Sequence, residues 1–281
     1  YGRRTSGYLL AGEDATARQI GDEPMQMHAK FPDVPVAVCE KRVVGIECLL
    51  QDAKPDVVVL DDAFQHRYVK AGLNIVLVDY NRPVYDDALL PAGRLREPVS
   101  ALERAHIVIV TKCPAKMNPI DFRVIQQKLD LQPWQKLFFT TMSYGQPYTL
   151  FGDERRSVPL TSLRTHEHVL LLSGIARPEQ LRSDMSPYCA RITPLAFPDH
   201  HDFTRQDVER INETFRQLPA DDKIILTTEK DAARLRTLSG LSDQVRAALY
   251  VLPMQATFMR GEELDFKDCI KEFTDSQGRG V

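Results

Sequence analysis

The segment VVVLDDAFQH, residues 57–66, runs an apolar stretch directly into Asp61 and Asp62. In open α/β sheets ligands bind beyond the carboxyl ends of strands. A carboxylate placed there can hold Mg²⁺, a hard cation that binds oxygen and is commonly shared with nucleotide phosphates. That is the Walker-B arrangement of phosphoryl-transfer proteins. Asp also caps strand-to-helix turns, and the pattern alone divides evenly between the two readings. Gln65 and His66 tip the balance toward function, because three kinds of hydrogen-bonding side chain converge within six residues.

Four further motifs carry polar chemistry. In GDEP, residues 21–24, Pro24 suits the first helical position and Asp22 and Glu23 suit a helix N-terminus, so capping is the favoured reading of this tetrapeptide alone. The paired carboxylates would equally permit a general base or a metal contact. PAGRLREP, residues 91–98, is a proline-bounded turn displaying Arg94, Arg96 and Glu97. Arg is shaped for phosphate or carboxylate recognition, although a solvated loop with local ion pairs is the safer reading. FPDHHDF, residues 197–203, concentrates Asp199, His200, His201 and Asp202. Adjacent side chains on a regular strand point oppositely, so one His acting as a proton-transfer or carboxylate partner is more economical than chelation by both. TTEKDAARL, residues 227–235, has the Thr228–Asp231 spacing of a capping box and reads as structure. No Gly is followed by Lys, so the GxxxxGK[ST] phosphate loop is absent from these 281 residues.

Those motifs need a scaffold. Short Val- and Ile-rich runs at 35–39, 57–60, 75–79, 107–111 and 137–140 alternate with helix-like stretches at 24–30, 43–52 and 121–131. Their length and β-branching predict buried parallel strands in a doubly wound sheet. The pattern restarts with strands at 169–173, 192–197 and 223–227 and helices at 178–185 and 205–218, the latter after Thr204 as N-cap. Two irregular stretches, 142–159 and 252–263, read as two strands of a connector between two α/β units. A helix over 264–273 follows, and the polar tail 274–281 is expected to fray.

Composition sets the class. Hydrophobic residues make up 43% and charged residues 27%, with a net charge of −3, so no basic face argues for nucleic acid. Five scattered Cys without a CxxC argue against a disulfide framework or structural zinc and fit a reducing compartment. The longest apolar runs are too short to cross a bilayer. The reading is a soluble, cytosol-facing α/β protein whose true N-terminus is expected to lie upstream of Tyr1, since the sequence opens YGRRTSGYLL without Met.

The order YGR, GDEP, DDAFQH, PAGRLREP, SGIARP, FPDHHDF and TTEKDAARL resembles tetraacyldisaccharide 4'-kinase, the lipid A 4'-kinase of Gram-negative bacteria, from Tyr1 to about Phe258. DDAFQH with PAGRLREP at this spacing is specific; GDEP alone is not. The resemblance implies two α/β/α units with mainly parallel sheets joined by a two-stranded linker. It places a P-loop-kinase-like domain at 1–141, a linker strand at 142–160, a smaller α/β domain at 161–250, and a return strand with the final helix at 251–281. It implies transfer of the ATP γ-phosphoryl group, with Mg²⁺, to the 4'-hydroxyl of an acylated glucosamine disaccharide 1-phosphate, giving lipid IVA. Partners are that lipid and the cytoplasmic face of the inner membrane, where family members act peripherally, and no nucleic acid.

Carried over by motif, Asp22 is the general base and His200 its partner, and Asp61 is the catalytic metal-site acid. Tyr1, Glu23, Asp62, Gln65, Arg96 and Glu97 are substrate- or nucleotide-binding. Asp22 and His200 are far apart in sequence, so closure of two domains is expected to bring them together. Family members carry a membrane-associating helix, a strand and a P-loop before YGR, so this chain by itself is expected to bind ATP weakly. Ala63 stands where Gly is frequent in DDAFQH. Two alternatives remain: a P-loop-like GTPase or metallochaperone, disfavoured because VTKCP at 110–114 lacks the Asp of NKxD, and a nucleotide-independent binding module. An upstream GxxxxGK[ST] in the open reading frame would favour the kinase.

Overall fold

The computed structural model describes residues 3, 5–152, 154–199, 201 and 203–278. They divide into one unit of residues 1–40 with 144–254 and another of 41–143 with 255–281. In chain order the strands are β1 (Leu9–Leu10), β2 (Ala37–Val38), β3 (Ile75–Asp79), β4 (Ile107–Cys113), β5 (Lys136–Tyr144), β6 (Tyr148–Thr149), β7 (His168–Ser173), β8 (Ile192–Ala196), β9 (Lys223–Thr228), β10 (Leu249–Leu252) and β11 (Met254–Phe258). The α-helices are α1 (Ala17–Ile20), α2 (Asp22–Lys30), α3 (Arg42–Asp52), α4 (Pro119–Leu129), α5 (Pro178–Met185), α6 (Arg205–Gln217), α7 (Glu229–Leu235), α8 (Asp243–Ala248) and α9 (Glu263–Gly278).

The first unit is built on a five-stranded sheet of order β6-β10-β9-β7-β8, parallel except where β6 meets β10. Every residue of β7, HVLLLS, is buried, because both faces are covered. Leu170 and Leu172 point into a core with Val208, Ile211 and Phe215 of α6, while Val169 and Leu171 meet Leu181 and Met185 of α5. Thr204 caps α6 by accepting the Asp207 amide hydrogen bond. The β1–β2 pair and α2 belong to this unit.

The second unit carries a four-stranded sheet of order β11-β5-β4-β3, with β3, β4 and β5 mutually parallel. β4 is covered on both faces: Val108 and Val110 pack with Ile125 and Leu129 of α4, and Ile107 and Ile109 with Phe266, Cys269 and Ile270 of α9. β5 and β11 are neighbours, and the Met259 amide donates to the Phe139 carbonyl at 2.8 Å.

Three expectations change. Residues 57–60 form no strand; they run without a ladder partner, and Val59 is 89% exposed. An apolar β-branched run becomes a strand only where an edge pairs with it, and β3 is the edge of its sheet among the described residues. The block 1–141 does not stand as one unit, because residues 1–40 group with 144–254 through packing of α2 on α7. The tail is helical to Gly278, steadied by the Phe273 ring, which lies so close to Gly72 that a Cβ there would meet it at 2.7 Å.

Candidate functional site

The chemistry-bearing motifs fall into two groups, one in each unit. In the unit of residues 41–143 and 255–281, DDAFQH follows the unpaired 57–60 stretch rather than a strand end. Asp62 takes a left-handed backbone, φ +46°, which turns its side chain out to meet Arg96. The guanidinium forks onto both carboxylate oxygens at 2.6 and 3.5 Å, and this hydrogen bonding raises the Arg96 pKa further. Arg96 itself is delivered by a closed loop. The Asp87 carboxylate accepts the Ala88 and Arg94 amides at 2.8 and 3.2 Å, and the Leu95 amide returns to the Ala88 carbonyl at 3.0 Å.

Arg104 secures the other side. Its guanidinium lies 4.3 Å from the Phe64 ring centroid, donates to the Phe64 carbonyl at 3.3 Å and pairs with Glu97, which Arg67 also approaches at 3.5 Å. The two carboxylates of DDAFQH therefore differ. Asp62 is taken up by Arg96, whereas exposed Asp61 makes no hydrogen bond or ion pair with any described residue. Gln65 keeps a buried Oε1 with no partner among the described residues. Glu97 serves the loop's own ion pairs.

Asp61 fits a magnesium ligand. An open carboxylate is the donor that Mg²⁺ takes when nucleotide phosphates and water complete its shell, which needs only one or two protein carboxylates. Among the described residues there is no cluster of three or more His, Cys, Asp or Glu that could build an all-protein cage.

In the unit of residues 1–40 and 144–254, Gly21 at φ +97° turns the chain between α1 and α2 and puts Asp22 at the first position of α2, two residues ahead of Pro24. The Asp22 carboxylate reaches Arg234 on α7. Nε donates to Oδ1 at 3.3 Å and a terminal NH₂ group to Oδ2. A third guanidinium nitrogen donates to the His201 carbonyl at 3.1 Å. Arg234 is only 9% exposed at its side chain and Asp22 23%.

α7 is bonded along its whole length. Thr228 accepts the Asp231 amide, and Glu229 pairs with Lys30 at 3.3 Å. Lys230 pairs with Asp199 of FPDHHDF at 2.7 Å. Asp231, fully buried, accepts the Gly174 amide of SGIARP at 3.0 Å and the Thr228 hydroxyl at 2.8 Å. Burial pushes its carboxyl above the usual range, against those hydrogen bonds and the Arg234 and Lys230 charges. A Cβ on Gly174 would lie 2.9 Å from Asp231 Oδ1, so the position has no room for a side chain.

His201 Nε2 meets Asp207 Oδ2 at 2.9 Å and stacks on Phe197 at 5.2 Å. Burial would raise the Asp207 pKa, but the Thr204 amide and hydroxyl and the His201 ring outweigh it and bring it to about 2. This His is thus tied to the α6 cap. His200 and Tyr1 lie outside the described residues. Glu23 is half-buried beside Asp22. Asp22 and the His201 carbonyl share one compact unit and one guanidinium, with α2 packed on α7; the expected pairing of Asp22 with His200 lies outside the described residues.

Arg104 and Arg234 went unread in the sequence. Lys230 and Arg234 stand four apart, on one helix face, and that spacing beside acidic motifs was the available signal. Asp79 and Lys112, paired at 2.7 Å at the carboxyl ends of β3 and β4, were also missed as a pair. Burial would raise the Asp79 carboxyl, yet hydrogen bonds from Lys112 and the Asn81 amide hold it below its ordinary value.

No helix among the described residues is long and apolar enough to cross a membrane. The family model described as tetraacyldisaccharide-1-P 4'-kinase matches residues 1–274. The tetraacyldisaccharide 4'-kinase of Phocaeicola vulgatus is 44% identical over 99% of this chain and 77% of its own length, and that of Parabacteroides distasonis 45% identical over 99% and 76%. The crystal structure of an "apo" form of LpxK from Aquifex aeolicus in complex with ATP matches with a TM-score of 0.69 at 25% identity, covering 98% of this chain and 76% of that one.

Proposed function

This chain belongs to the tetraacyldisaccharide-1-P 4'-kinase family, and we propose that it transfers the ATP γ-phosphoryl group to the 4'-hydroxyl of an acylated glucosamine disaccharide 1-phosphate, forming lipid IVA. The observation that carries the site reading is the division of labour in DDAFQH. Arg96 locks Asp62, and Asp61 is left open. Asp61 would hold the Mg²⁺ of Mg-ATP, which when bound supplies neutralisation of the phosphate charge.

Asp22 is the base. A sugar hydroxyl is a poor nucleophile, so its proton passes to an Asp22 carboxylate oxygen as the hydroxyl oxygen bonds to phosphorus and the bond to the ADP oxygen breaks. His200 assists Asp22 as its partner. Tyr1, Glu23, Gln65 and Arg96 are read as ligand-binding from the resemblance of their motifs, and the buried Gln65 Oε1 has no partner among the described residues. Asp62 and Glu97 contribute by holding Arg96 and the 91–98 loop in place. The acylated substrate places the reaction at a membrane surface, in this reading the cytoplasmic face of the inner membrane, with the protein attached peripherally.

The test is transfer of label from [γ-³²P]ATP to a lipid-extractable product by the protein expressed from its complete open reading frame. Label should move only with Mg²⁺ and the acylated acceptor present. Unchanged ATP turnover with no labelled lipid would overturn the assignment.

A further inference from the structure

Every charged side chain of α7 up to Arg234 is committed to another motif: Glu229 to Lys30 of α2, Lys230 to Asp199, Asp231 to Gly174, and Arg234 to Asp22 and the His201 carbonyl. The helix has just seven residues, yet it bonds GDEP, SGIARP and FPDHHDF at once. Arg234 is the member that touches the candidate base. Its three nitrogens all donate, two to the carboxylate oxygens of Asp22 and one to the loop that carries residues 198–203. A guanidinium fork fixes the plane of a carboxylate as well as its distance, which a point charge does not. A base whose lone pair must face a hydroxyl depends on that plane.

We propose that Arg234 is a positioning residue for phosphoryl transfer: it orients the Asp22 carboxylate and couples it to the 197–203 loop. The proposal rests on the reading of Asp22 as the base. Asp22 is partly exposed and sits on the first turn of a helix, so loss of the guanidinium removes a two-point contact that sets the plane of its carboxylate. Thr228 and Asp231 then matter indirectly. They pin α7 to Gly174, and so fix where the guanidinium begins.

The experiment is a kinetic cycle on the protein from its complete open reading frame, with variants Asp22→Ala, Arg234→Met, Arg234→Lys and the doubles, following kcat and both KM values beside thermal melts. Misplacing a reacting group by about 1 Å costs roughly 100-fold. Arg234→Met is expected to lower kcat on that order with the KM for ATP unchanged. Arg234→Lys, which keeps the charge but not the fork, is expected to fall between Met and wild type. In the Asp22→Ala background neither change should lower kcat further, because the group they act through is gone. If Arg234→Met does not fold, the Lys variant in the two backgrounds decides. Losses that multiply across the cycle, or a raised KM with kcat intact, would overturn the positioning role and leave a structural prop. Inactive Asp22→Ala beside fully active Arg234→Met would overturn this inference alone, whereas fully active Asp22→Ala would bring down the base assignment and this inference with it.

Discussion

Gly93 sits where the 87–95 loop crosses its own backbone, and replacing it with Ala is a sharp perturbation of the site. A Cβ there would lie 2.2 Å from the Ala88 carbonyl oxygen, 2.4 Å from Asp87 Oδ1 and 2.6 Å from the Ala88 nitrogen. Two of these neighbours are backbone atoms, and the third, the Asp87 side-chain oxygen, is held by two amides. The Ala88 carbonyl already accepts the Leu95 amide, and Asp87 Oδ1 the Ala88 and Arg94 amides, so relief of the clash breaks the bonds that close the loop. Carbon to carbonyl-oxygen contacts settle near 3.3 Å, so the strands of the loop must part by roughly 1 Å. Overpacking of this kind costs about 1–3 kcal/mol. For a unit of this size each kcal/mol lowers Tm by about 2–4 °C. Arg96 leaves the same loop one residue after Leu95, so its fork on Asp62 is displaced by a similar distance. A misplacement of about 1 Å near reacting groups costs on the order of 100-fold. Gly93→Ala should therefore lower kcat/KM for Mg-ATP by roughly 10- to 100-fold and Tm by about 2–12 °C. Gly12→Ala, where a Cβ meets nothing within 4 Å, is the matched control and should change neither. Wild-type activity and Tm in Gly93→Ala would refute the claim that loop closure sets Arg96.

Asp61→Asn should cut turnover by about 100-fold or more with a cooperative melt, since a metal-held charge clamp contributes several kcal/mol in the transition state; normal Mg²⁺ titration and turnover would contradict it. Thr204→Ala removes the cap of α6 and should cost about 1 kcal/mol by denaturant titration. Because the folded-state Asp207 pKa is lowered to about 2, the stability it contributes is present above the ordinary carboxyl range and is lost as pH falls from about 4 toward 2. Asp207→Asn should flatten the stability profile in that window, and an unchanged acid limb would count against the cap network. Phe266→Ala should destabilise the unit that carries α9 by about 3 kcal/mol, as its ring packs on Phe138 and Phe258.

Local physics made much of this molecule legible. The unbroken apolar run of β7 announced a strand covered on both faces, and Thr204 marked the start of α6 from its residue type. The candidate residues were found for a similar reason: DDAFQH and PAGRLREP concentrate groups whose chemistry is visible without coordinates. What stayed hidden was non-local. Residues 57–60 have the composition of a strand, but pairing is a property of two segments, and Val59 finds none among the described residues. Nothing in residues 1–40 says that they fold with 144–254. That grouping depends on Asp22 meeting Arg234 and Lys30 meeting Glu229 across some two hundred positions. The capping explanation of GDEP was sound by local rules, and it was a distant guanidinium that claimed the Asp22 carboxylate instead. Glu97, ligand-binding only by the resemblance, pairs with Arg104 and Arg67, the kind of local ion pair that the composition of its loop suggested.

The central claim is regiospecific phosphoryl transfer, and the position of the new phosphate tests it most directly. The protein expressed from its complete open reading frame should be incubated with Mg-ATP and the tetraacylated disaccharide 1-phosphate, and the product examined by ³¹P NMR with tandem mass spectrometry. The account predicts one new phosphomonoester, on the 4'-oxygen, formed with one equivalent of ADP and lost in Asp61→Asn. Phosphate on any other hydroxyl, or ADP released with the lipid unchanged, would contradict it.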